Sequence, residues 1–72
     1  MEEFTFNLKD EEYIEMIKVI KIFKLVGSGG EAKLRIEDGD AVRNGVVETR
    51  KRAKLRAGDV IEFGSGRITI AE

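Results

Sequence analysis

The chain has no cysteine and no histidine in its 72 residues. Disulfides, zinc fingers, thiol nucleophiles and imidazole bases are excluded together. A cysteine-free composition suits a reducing compartment, and the expected location is the cytoplasm. Proline is absent too, and the chain shows no linker, internal repeat or low-complexity tail. No apolar run approaches the roughly 20 residues of a membrane span. Met1 is followed by Glu2 and Glu3, the wrong charge for a signal peptide, so no membrane partner is expected. Aromatic residues are few: Phe4, Phe6, Tyr13, Phe23 and Phe63. So small a domain needs most of them for its core, which argues against a platform for stacking splayed bases. The acids form no catalytic pair, since Glu48, Asp59 and Glu62 fall in different strands or turns. With no nucleotide signature either, the chain reads as a non-enzymatic domain without cofactor or metal.

What the chain does have is charge, unevenly distributed. Thirteen basic and 14 acidic residues leave a formal net charge of −1. Residues 1 to 15 carry six acids (Glu2, Glu3, Asp10, Glu11, Glu12, Glu15) and one base, Lys9. Residues 43 to 56 carry six bases and one acid, Glu48. Such a chain presents a polar field despite its near-zero sum. The alternative is a solvated surface of mixed lysine and glutamate.

The length fits one domain, residues 1–72, able to bury only about 60% of the surface its unfolded chain exposes. Phe4-Thr5-Phe6-Asn7-Leu8 alternates and predicts a strand with Phe4, Phe6 and Leu8 inward. Asp10, followed by Glu11 and Glu12, predicts a capped helix over residues 11–23. Tyr13, Ile17 and Ile20 then share a stripe, and Lys18 and Lys21 mark the wet face. Gly27-Ser28-Gly29-Gly30 predicts a loop, with Ser28 or Gly29 capping a second helix over 31–38. There Ala32 and Ile36 face the core, Lys33 and Glu37 face water, and Gly39 stops the helix. Ala41-Val42-Arg43 and Val46-Val47 flank Asn44-Gly45, a strong hairpin signal. Ala53 and Leu55 suit a short strand or a surface-hugging segment. Ala57-Gly58-Asp59 predicts a turn. Val60–Phe63 and Arg67–Ile70 form a second hairpin around Gly64-Ser65-Gly66, with Ile61 and Phe63 on one face and Ile68 and Ile70 likewise.

Two stretches point to function. Arg50, Lys51, Arg52, Lys54 and Arg56 lie within seven residues and suit phosphate, which basic side chains bind with release of counterions. Strand alternation would send neighbours to opposite faces, so they can share a ligand only if the segment is irregular. Gly27–Gly30 ahead of a helix reads either as a tight helix–helix corner or as a set of amides facing a phosphate. It lacks the GxxxxGK[ST] pattern of a mononucleotide site. Recognition by shape and phosphate suits structured RNA better than single strands, and no preference for DNA is expected.

Taken together these residues resemble the S4 RNA-binding domain, closest to its small stand-alone bacterial members. The resemblance is carried by Ile20-Lys21, Ser28-Gly29-Gly30-Glu31-Ala32-Lys33, Ile36 and Gly39. It continues through Asn44-Gly45, Glu48-Thr49-Arg50-Lys51-Arg52 and Gly58-Asp59-Val60-Ile61, and spans residues 14–63. It implies an α+β fold in which a two-helix, L-shaped motif packs on a small antiparallel sheet. It also implies binding of structured RNA, ribosomal or transfer RNA, with association to the ribosome among the expectations. The RNA-binding residues it implies are Lys21, Ser28, Lys33, Arg43, Arg50, Lys51, Arg52 and Lys54. Two departures stand out. Gly29 replaces an arginine that many members carry just inside the second helix. Ala41 and Arg43 replace the two valines of the usual Gly-x-Val-x-Val-Asn-Gly, so either the strand shifts to turn Val42 inward or Arg43 reaches out past an edge. Two other readings stay open: a module that docks on an acidic protein, and a ubiquitin-like sulfur carrier. The carrier is disfavoured by the ending Ala71-Glu72 in place of Gly-Gly.

Overall fold

The computed structural model describes all residues, 1–72. The elements run β1 (Glu2–Asn7), β2 (Ile14–Glu15), α1 (Met16–Ile22), α2 (Gly29–Glu37), β3 (Ala41–Arg43), β4 (Val46–Val47), β5 (Lys54–Leu55), β6 (Val60–Phe63) and β7 (Gly66–Ala71). Five strands form a sheet in the order β1-β7-β6-β3-β4, and β2 pairs separately with β5. The fold is α+β, with two helices packed on a sheet. That sheet is mixed, because β1 lies parallel to β7 with Phe4 opposite Ile68 and Phe6 opposite Ile70. Alternation within residues 4–8 shows which face is inward but carries no information about the partner strand.

Strand alternation builds the core floor. Ile61, Phe63, Ile68 and Ile70 are buried on one face, while Arg67 on the other bonds Glu3 at 2.9 Å and Glu62 at 3.2 Å. Met16, Val19 and Ile20 of α1 and Ala32 and Ile36 of α2 complete the core from the helical side. Leu8, Ala41, Ala53 and Leu55 close its margins. Lys33 and Glu37 face water as the spacing requires.

The first helix differs from its expected form. Residues 11–15 are not helical, and Lys9 and Asp10 take left-handed backbone angles (φ 53° and 72°). Asp10 caps nothing. Instead Ile14 and Glu15 pair with Leu55 and Lys54, and the helix begins at Met16. The ladder satisfies the backbone of β5 and half-buries Ile14, which a local helix of like-charged glutamates would not do. Tyr13 accordingly lies outside the stripe of Ile17 and Ile20. The second helix starts earlier than expected: Gly29 and Gly30 form its first turn behind Ser28, where amides need no helical partner.

Both helices end in the same hydrogen-bond pattern. After α2, Gly39 N donates to Ile36 O and Asp40 N to Arg35 O, both at 3.0 Å, around a left-handed Gly39 (φ 90°). After α1, Lys24 N donates to Lys21 O at 3.0 Å and Leu25 N to Ile20 O at 3.2 Å. This is a Schellman termination, which places the residue just past the helix in the left-handed region. Here that residue is Lys24, with φ 57°.

The hairpin at Asn44-Gly45 is as expected, with both residues left-handed (φ 51° and 85°), as a primed two-residue turn requires. Strand β3 does not shift. Ala41 is buried, and Arg43 lies at the end of an interior strand, not at an edge, with its guanidinium bonded to Lys54 O and Asp59.

Ile36→Ala is expected to cost about 2–5 kcal/mol in urea unfolding, since it empties a fully buried site. Leu34→Ala, on the exposed face of the same helix, is expected to stay within about 0.5 kcal/mol of wild type. Similar losses at both positions would contradict the packing described.

Candidate nucleic-acid interface

The basic segment is irregular, which answers the objection from strand alternation. Ala53 N donates to Arg50 O at 3.1 Å, closing a β-turn with Lys51 and Arg52 at its corners. The turn is held from outside by α1. Met16 N donates to Ala53 O and Ile17 N to Lys51 O, both at 2.9 Å. These are among the first amides of a helix that has no side-chain cap, and the basic turn supplies the acceptors they lack. Arg50, Arg52 and Lys54 therefore border one shallow depression together with Arg43 and Ala53. Lys51 is half-buried in the same turn.

These cations are not equally available. Glu48 grips Arg50 through Nε to Oε2 at 2.9 Å and Nη2 to Oε1 at 3.1 Å, and it also accepts from Arg50 N at 3.2 Å. Arg50 nonetheless keeps most of its side chain in solvent. Arg43 is more fully engaged: Nη2 donates to Lys54 O at 2.9 Å and to Asp59 Oδ2 at 3.0 Å, and Nη1 lies 3.6 Å from Glu48. Arg43 thus ties β3 to β5 and to the turn before β6. Lys51, Arg52 and Lys54 pair with no carboxylate. Lys54 Nζ sits 5.0 Å from the centroid of the Tyr13 ring.

A second depression lies at the other end of α1. Lys21, Lys24 and the segment Val26–Gly29 line it. Ser28 Oγ accepts from Glu31 N at 3.2 Å, and Glu31 Oε1 accepts from Gly27 N at 2.8 Å, a reciprocal arrangement close to a capping box. The Ser28 hydroxyl is thus committed to the helix start. Lys21 Nζ lies 3.7 Å from the point where a side chain on Gly29 would begin, so the glycine leaves room for the lysine. The basic turn is bonded to the start of α1, and the second depression lies at the end of the same helix.

Of the eight residues implied by the sequence, Arg43, Arg50, Arg52 and Lys54 come together, with Lys51 in the same turn. Lys21 and Ser28 form the second group. Lys33 is exposed on α2 and lines neither depression. Two further bases of the helices lie elsewhere. Arg35 bonds Asp40 at 3.1 Å and stacks over Phe63 at 4.4 Å. Lys18 lies among Glu11, Glu12 and Glu15. Lys24, which lines this second depression, is not among the residues the sequence implied.

Two carboxyls in this region titrate low. Glu48 is held below its usual value chiefly by the Arg50 side-chain hydrogen bond, against a smaller opposing push from burial. For Asp59 burial is the largest single influence and acts upward. Hydrogen bonds from Arg56 N, Asn44 and Arg43, with the charge of Arg43, together outweigh it. A carboxyl depressed in the folded state adds stability above its unfolded value, and that stability is lost as pH falls through the folded one. Urea unfolding is therefore expected to show stability level above about pH 5 and declining below it. Asp59→Asn is expected to be less stable at neutral pH and to decline less steeply in acid. A decline as steep as wild type would remove Asp59 from the account.

No group of three or more His, Cys, Asp or Glu side chains is placed to hold a metal. A family model described as S4 domain matches residues 6–71. The putative RNA-binding protein YbcJ of Escherichia coli K12 is 33% identical over 66 residues, covering 92% of this chain and 94% of the relative. An uncharacterized YbcJ of Shigella flexneri matches to the same extent. The solution structure of the E. coli YbcJ, described as revealing an alpha-L motif involved in RNA binding, superposes with a TM-score of 0.72. It is 32% identical, and the match covers 94% of this chain and 86% of that one. The family match favours the nucleic-acid reading over the carrier resemblance. The chain belongs to the S4 domain family.

Proposed function

We propose that this S4 domain binds structured RNA, of the ribosomal or transfer class, in the cytoplasm. The contacts are phosphate contacts made by Lys21, Lys33, Arg50, Lys51, Arg52 and Lys54. Arg43 and Ser28 serve that surface from within, Arg43 by bracing the turn and Ser28 by fixing the start of α2. The observation that carries the reading is the turn at residues 50–53, which is clasped to α1 and gathers basic side chains on one side. The names of the relatives point the same way.

Structure in the RNA is favoured because the domain has little with which to read loose bases. Phe4 and Phe23 stack on each other at 4.7 Å. Phe63 is buried, and Phe6 packs against the core. Tyr13 lies under Lys54 and Arg56. Single-strand binders depend on free aromatic faces, whereas shape and phosphate suffice for folded RNA.

The test is salt-dependent binding to a folded and to an unstructured RNA. The Arg52→Ala, Lys54→Ala double variant is expected to lower the log–log salt slope by up to about 1.8, for two lost phosphate contacts. Its melting temperature should stay near wild type, because both are exposed charges. Arg50→Ala is expected to change the slope less, since Glu48 already offsets that charge. An unchanged slope in the double variant would remove the turn from the interface. Preference for an acidic protein over folded RNA would favour a protein-docking module instead.

A further inference from the structure

The Lys24 side chain has no role in holding the fold together. It is exposed, pairs with no carboxylate and donates no side-chain hydrogen bond. It occupies the left-handed corner of the α1 termination, at φ 57°, where a side chain crowds its own backbone and glycine is the favoured residue. The same corner after α2 is filled by Gly39. Lysine at residue 24 is therefore a cost to stability that nothing in the packing repays.

Its surroundings are what set it apart. Lys24 lines the depression next to Lys21, at the mouth of the Gly27–Gly29 loop. The nearest acid along the chain, Glu31, is occupied by Gly27 N at 2.8 Å and faces Arg35 at 4.0 Å. Two lysines thus line one concave surface with no carboxylate among its lining residues. Strained positions that survive without a structural reward point to function.

We infer that Lys24 is a phosphate-binding residue of this domain, pairing with Lys21 on one stretch of RNA backbone and widening the interface beyond the turn at 50–53. The inference rests on the RNA-binding reading above. Lysine suits the task at a sharp corner, because its long stem carries a point charge that reaches phosphate without fixed geometry.

The chain contains its own control. Lys9 is also an exposed lysine in the left-handed region (φ 53°), but it lies among Asp10, Glu11, Glu12 and Glu72. Lys24→Gly and Lys9→Gly remove the same charge and relieve the same kind of strain. Both are expected to raise the melting temperature. Binding of the full chain to a labelled stem-loop RNA and to bulk transfer RNA is then followed against salt. Lys24→Gly is expected to bind about tenfold more weakly at low salt, the worth of one charge-assisted contact. Its log–log slope should be lower by about 0.9. Lys24→Arg should keep the wild-type slope, and Lys9→Gly should bind as wild type does. Wild-type slope and affinity in Lys24→Gly, with the parent chain binding normally, would overturn the inference and leave the RNA reading standing. Equal losses in Lys9→Gly would overturn it too, by showing that net charge matters and position does not. A parent chain that binds neither RNA would overturn the functional reading and this inference with it.

Discussion

The structure depends on how α1 begins. A helix of seven residues is too short to persist alone, since nucleation is costly and few bonds follow it. It also lacks the side-chain cap that would satisfy its first amides. Two carbonyls from the basic turn, those of Lys51 and Ala53, accept from Met16 and Ile17, and the β2–β5 ladder lies directly beside them. The dependence runs both ways. A turn carrying Arg50, Lys51 and Arg52 repels itself and buries little, so it needs an external anchor, and the helix amides are that anchor. The surface offered to a ligand and the start of the first core helix are therefore a single unit.

That arrangement explains what the sequence disclosed and what it hid. The second half was legible because its signals are local. Asn44-Gly45, Gly39 and the alternation of Ile61, Phe63, Ile68 and Ile70 each act within a few residues, and all took their expected places. The start of α1 was not legible. Asp10-Glu11-Glu12 has the composition of a helix start, yet residues 14 and 15 gain more by pairing with a strand some 40 residues away. Propensity is a weak preference that tertiary contacts override. The parallel pairing of β1 with β7 was hidden for a similar reason, because alternation reveals a face and not a neighbour.

At the interface, residue types were easier to read than their states. That Arg50, Arg52 and Lys54 belong together followed from spacing once the segment was known to turn. That Arg43 is consumed by Asp59 and by the Lys54 carbonyl did not, since its partners lie 11 and 16 residues away. The replacement of a core valine by Arg43 makes sense in this light. The strand keeps its register because Ala41 fills the inward position, and Arg43, at the turn end of β3, spans to Glu48 and Asp59.

The charge pattern around the basic turn follows from the same design. Glu48 and Asp59 sit inside the basic region and neutralise the arginines that do structural work, which limits repulsion within the turn. Lys51, Arg52 and Lys54 at one end of α1, and Lys21 and Lys24 at the other, have no such partner. Under the proposed function, a ligand thus meets a few unneutralised cations whose backbone anchors are set by a short helix, and not a diffuse positive field. Diffuse charge attracts any polyanion, and its effect fades over a Debye length of about 8 Å at physiological salt. Cations anchored at separate points of a rigid backbone discriminate among phosphate arrangements, because a nucleic-acid backbone of the wrong shape comes within reach of only some of them. Under the proposed function, selectivity for folded RNA in so small a domain rests on the rigidity of the clasp at α1 more than on how many basic residues the chain contains.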